Sequence, residues 1–68
     1  MRALDRIAVN IKKIRLEKNI SQEKLAELSG LHRTYISQIE RKVKNPTVNN
    51  LEKIADALNT DITELLKE

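Results

Sequence analysis

The only glycine of the chain, Gly30, stands between two segments whose apolar residues recur at spacings of three and four. Glycine reaches positive φ without steric cost, so at this place it ends one helix and turns the chain sharply into another. Ahead of it, Ser21 is placed to cap a helix carrying Leu25, Ala26 and Leu28 inward, with Glu23 favourable near the positive end. Behind it, a third helix is expected over about residues 32–41, with His32 available as a weak cap. Two short helices around one tight turn are therefore the unit on which any fold of this chain is built.

The rest of the chain is punctuated in the same way. Leu4, Ile7, Ala8, Ile11 and Ile14 form the stripe of a first amphipathic helix, and Asn19, which tolerates left-handed backbone, can close it. Pro46 cannot continue a helix, which leaves residues 42–46 as a basic loop. Thr47 then caps a fourth helix with Val48, Leu51, Ile54, Ala55 and Leu58 inward, and Asn59 repeats the task of Asn19. Asp61 and Glu64 have the spacing of a capping box for a last short helix with Ile62, Leu65 and Leu66. The expected fold class is all-α: a single domain of five short helices over residues 1–68, with the two-helix unit at about 21–41.

Composition narrows the function. Cysteine is absent, so neither a disulfide framework nor a thiolate metal site is available, and no metal or cofactor is expected. A single histidine, scattered carboxylates and the lack of a glycine-rich phosphate loop leave no nucleophile–base set, so the chain does not read as an enzyme. No apolar run approaches the roughly 18 residues of a membrane span and no signal peptide opens the chain, which implies a cytoplasmic protein. Charge is divided unevenly: residues 1–44 hold eleven Lys/Arg against five Asp/Glu, and residues 45–68 hold two against five. A basic front and an acidic back suit a polyanion bound on one face.

The third helix carries the sharpest signal. With about 100° per residue and Ile36 at zero, Ile39 and Tyr35 fall at about −60° and −100°, on the inner side. Arg33, Thr34, Ser37, Gln38 and Arg41 fall between about 60° and 200°, opposite them. That flank contains no acid, and Glu40 lies nearer the inner edge. An ordinary solvated face mixes Glu with Lys along i,i+4 pairs. Here Arg can pair with guanine, Gln with adenine, and Ser or Thr with either, the vocabulary of base-edge reading in a major groove. A plain solvated polar face is the competing reading.

From Ser21 to Leu58 the string SQEKLAELSGLHRTYISQIERKVKNPTVNNLEKIADAL resembles the Cro/cI-type, λ-repressor-like helix-turn-helix family, and the upstream IKKIRLEKN extends the likeness over nearly the whole chain. The segment LHRTYISQIER also resembles the small controller proteins of restriction–modification systems, dimeric transcription regulators little larger than this domain. The resemblance implies that Arg33, Thr34, Ser37 and Gln38 read bases. It implies that Gln22 grips a phosphate at the start of the second helix, where free N–H groups suit an anion. Lys42, Lys44 and Asn45 are expected along the backbone of the same groove, with Arg41 able to serve either set. Tyr35 is expected to pack its ring on the core edge while its hydroxyl reaches water or phosphate. Exposed first-turn and solvated-loop roles stay open for Gln22 and the lysines. Arg15 and Glu40 match a structural ion pair that pins the third helix to the first. One departure stands out: many relatives have glycine directly after IER, and this chain has Lys42.

The implied function is sequence-specific binding of double-stranded DNA by a homodimer on a palindromic operator, two copies about one helical turn, roughly 34 Å, apart. Bound over a promoter such a dimer blocks RNA polymerase; bound just upstream it could recruit it. The acidic C-terminal third, through Ile62, Leu65 and Leu66, is the expected dimer interface, against the reading that all three close the monomer core. An antitoxin-like or adaptor module, meeting an acidic protein through the same polar helix, is the alternative function.

Overall fold

The computed structural model describes residues 2–68 and contains five helices: α1 (Ala3–Glu17), α2 (Gln22–Ser29), α3 (Arg33–Glu40), α4 (Val48–Ala57) and α5 (Ile62–Leu65). No strand occurs among the described residues. Four of the helices end on one backbone device. A residue with positive φ follows each: Asn19 at 57°, Gly30 at 74°, Lys42 at 66° and Asn59 at 54°. The next amide then donates five residues back, Ile20 to the Arg15 carbonyl, Leu31 to Ala26, Val43 to Gln38 and Thr60 to Ala55, at 2.9 to 3.1 Å. The orphan carbonyls of each last turn are thus satisfied by the chain itself.

Helix starts are less uniform. Ser21 Oγ accepts from the Lys24 amide and Thr47 Oγ1 from the Asn50 amide. The side chain of His32 makes no capping bond, contrary to expectation, so the first amides of α3 receive no side-chain acceptor there. The capping box expected at the last helix does not close either. Asp61 accepts from the Thr63 amide and hydroxyl, at 2.9 and 2.8 Å, while Glu64 turns away to pair with Lys67. The Thr63 amide, and secondly its hydroxyl, hold the Asp61 carboxyl below the usual carboxylate range. A depressed folded-state value means that this cap contributes above that usual range and fades as pH falls through the lowered value.

Every helix supplies the core. Ile11, Leu25, Ile36, Ile39, Ile54, Leu58 and Leu65 are fully buried, and Ile7, Ala26, Leu51 and Ala55 complete the cluster. Helix α3 packs on α1 and α2, α2 also packs on α4, and α5 packs against α1 and α4. Two residues expected inside are not: Leu28 is 48% and Val48 72% exposed. Each lies at the edge of its stripe, where periodicity gives a face but not its width. The C-terminal expectation divides as well. Leu65 is wholly buried within its own chain and is unavailable to a partner, Ile62 packs half-buried against the core, and Leu66 remains 40% exposed. Asn10 holds this end in place by donating to the carbonyls of Leu65 and Lys67.

Lys42 is the one exit residue that is neither glycine nor asparagine. Left-handed backbone brings its Cβ against the following carbonyl at a cost of about 1–2 kcal/mol, partly offset because glycine has more freedom to lose on folding. Lys42→Gly should therefore raise the unfolding free energy by about 1 kcal/mol, measurable as a higher urea midpoint with an unchanged m-value.

Candidate nucleic-acid interface

The outward side of α3 is built by the burial of its inward side. Ile36 and Ile39 are buried and Tyr35 is half-buried. That rotation leaves Arg33, Thr34 and Arg41 exposed and Ser37 and Gln38 half-exposed on the opposite flank. None of the five is packed into the interior. Lys42, Lys44 and Asn45 follow in the exposed loop that leads to α4. Among the described residues, Arg33 and Arg41 make no ion pair, whereas the other three arginines, Arg2, Arg6 and Arg15, each face a carboxylate; Lys42 and Lys44 are unpaired as well, as are Lys12, Lys13, Lys18 and Lys53 elsewhere. The uncapped start of α3, with no acid in its first turn, adds the positive end of the helix to the same side.

Glu40 is the carboxylate closest in sequence to this flank, and it is turned inward. Its two oxygens accept from Arg15 Nε at 2.8 Å and Nη2 at 3.0 Å, a bidentate pair with side chains only 9% and 4% exposed. Arg15 Nη1 also donates to the Ile20 carbonyl at 2.8 Å, so one guanidinium joins the end of α1, the turn after it and the end of α3. The Gln22 amide donates to Glu40 Oε1 at 3.1 Å, which adds the first residue of α2 to the cluster. One side-chain N–H of Gln22 is therefore already engaged within the protein.

Besides the bond from Gln22 to Glu40 and the Arg6–Glu68 pair, two contacts have no counterpart in the sequence. The Tyr35 hydroxyl accepts a hydrogen bond from Asn50 Nδ2 at 3.1 Å, so it is tied to the start of α4. The second is the grip of Asn10 on the C-terminal segment. Both join residues far apart in the chain, and periodicity reports only which face a residue occupies, never its partner on another helix.

A helix-turn-helix family model matches residues 11–65, the greater part of the chain. The protein belongs to the helix-turn-helix family. Control protein C.SmaI of Serratia marcescens is 52% identical over 60 residues, spanning 88% of this chain and 71% of its own. Control protein C.BamHI of Bacillus amyloliquefaciens is 53% identical over 57 residues, 82% of this chain and 70% of its own. The restriction–modification controller protein C.Esp1396I, solved as a tetramer in complex with its natural 35 base-pair operator, matches with a TM-score of 0.85 and 44% identity over 98% of this chain and 99% of that one. Within this helix-turn-helix protein the two-helix unit is α2 and α3, joined through Gly30. No helix of the described residues is long and apolar enough to cross a membrane.

The buried pair yields a stability test. Arg15→Ala leaves the Glu40 carboxylate enclosed without its counter-ion, a change that costs about 3–5 kcal/mol. Chemical denaturation should register that loss. Replacing both partners together with apolar residues of similar volume should recover most of it.

Proposed function

We propose that the protein is a sequence-specific double-stranded DNA-binding transcriptional regulator that acts as a homodimer on a palindromic operator, in the manner of a restriction–modification controller. The observation that carries this reading is the α3 flank: exposed, free of acid, and bearing arginines with no carboxylate partner. In a major groove Arg33, Thr34, Ser37 and Gln38 meet base edges. Gln22, Tyr35, Arg41, Lys42, Lys44 and Asn45 meet phosphates, which fix register without reading sequence. The role is binding rather than catalysis, and it is exercised in the cytoplasm, where the operator is.

The dimensions of the chain fit two-fold binding. Its longest extent is 28 Å, less than the roughly 34 Å between equivalent major-groove positions, so two side-by-side copies with their long axes near the DNA axis come close to touching. Ile62 and Leu66 are the apolar residues of the C-terminal segment that retain exposure for that contact; Leu65 supports them from inside. Sedimentation at tens of micromolar should give twice 7.8 kDa, and Leu66→Glu should shift the species toward the monomer while leaving the helical circular dichroism intact.

Selection of bound duplexes from a random pool tests the function directly and should return a two-fold symmetric site. On that site Arg33→Ala should cost about 1–3 kcal/mol and relax preference at one base pair. Lys44→Ala should weaken specific and random duplexes alike and flatten the salt dependence by about one unit. Equal losses from both variants on both kinds of DNA would overturn the division into base and phosphate contacts.

A further inference from the structure

The hydrogen bond between Asn50 and Tyr35 has a direction, and the direction matters. A phenol oxygen carries one proton to donate and lone pairs that accept, whereas a phosphate oxygen in DNA only accepts. A tyrosine that has given its proton to a neighbouring side chain meets a phosphate lone pair to lone pair. Here the neighbour is the donor: Asn50 Nδ2 points at the Tyr35 oxygen from 3.1 Å. The oxygen's acceptor capacity is used inside the protein and its proton is left over.

Asn50 is well held for this task. It is the third residue of α4, and its backbone amide is bonded to the Thr47 cap at 3.1 Å. The next residue, Leu51, is anchored in the core. The bond also supplies a tie that helix packing does not. The main neighbours of α3 are α1 and α2, those of α4 are α2 and α5, and among the described residues this is the one side-chain hydrogen bond that joins α3 to α4. Tyr35 stands at the margin of the acid-free flank, half-buried, with its ring against the core.

We infer that Asn50 is a positioning residue for DNA binding: by donating to the Tyr35 hydroxyl oxygen it commits the hydroxyl proton to a phosphate of the bound duplex. The inference rests on the DNA-binding function proposed above and deepens it. Asn50 itself need not touch DNA. Its amide acts through the phenol, and exchanging the amide for a carboxylate, an acceptor of nearly the same shape, reverses the bond and consumes the proton.

The test compares the unaltered protein with Tyr35→Phe and Asn50→Asp on the selected site, using duplexes in which single phosphates are replaced by neutral methylphosphonates. Because a carboxylate in the first turn of a helix favours that helix, Asn50→Asp is expected to fold, which thermal melting followed by circular dichroism checks. Tyr35→Phe should raise Kd about tenfold, the loss of one hydrogen bond to a charged acceptor. One methylphosphonate position should weaken the unaltered protein by a similar factor and leave Tyr35→Phe unaffected. Asn50→Asp should be unaffected at that same position. A merely structural role would weaken binding without silencing one phosphate. If Asn50→Asp keeps the penalty there, or if Tyr35→Phe binds as tightly as the unaltered chain, the inference fails while the DNA-binding function stands. If no duplex is selected at all, both fall.

Discussion

The bidentate pair between Arg15 and Glu40 is the interaction on which the outward face depends. Burial of side chains holds the helices together but has no direction, and a helix of eight residues seated by Ile36, Ile39 and the half-buried Tyr35 has latitude to roll. A guanidinium fork gripping both oxygens of a carboxylate has a plane and an axis. With the third nitrogen on the Ile20 carbonyl, the fork sets the rotation of α3 against α1. Such a pair adds little net stability over an apolar replacement; what it supplies here is orientation.

The same pair determines the electrostatics of the exposed side. Glu40 is the only carboxylate of α3, and its removal into the interior leaves an uninterrupted cationic and neutral-polar flank. Gln22 is drawn into the cluster as well, so the first residue of α2 and Arg15 of α1 donate to the same oxygen of Glu40, the last residue of α3. The two helices of the motif are therefore joined at the Gly30 turn and again at their far ends. A duplex engaging both meets a single rigid body, and little ordering remains to oppose binding.

Much of this was legible in the sequence because it is local. The left-handed exits at Asn19, Gly30 and Asn59, and the caps at Ser21 and Thr47, follow from the conformational habits of those residue types. Even the strained exit at Lys42 was signalled, by the absence of an expected glycine. The misplacements have a common cause. Helical spacing shows that Leu28 and Val48 share a side with core residues, yet both lie at the margin of that side and stay exposed. Spacing likewise grouped Leu65 with Leu66, although one turn of α5 buries the first and presents the second. For Asp61 the geometry of a short final turn let Thr63 compete successfully with the expected partner. Contacts such as Asn50 with Tyr35, fifteen positions apart, leave no trace in any periodic pattern.

Gly30 occupies its turn for one reason only. Its φ of 74° is left-handed, yet a Cβ built there would meet no atom within 4 Å. The position is governed by a torsion angle and not by crowding, and the chain already meets that requirement with asparagine at two other exits. A pattern that demands glycine between the two helices therefore mistakes one solution for the rule. Asparagine at position 30 would meet no neighbour and would carry only the torsional strain that Asn19 and Asn59 already bear.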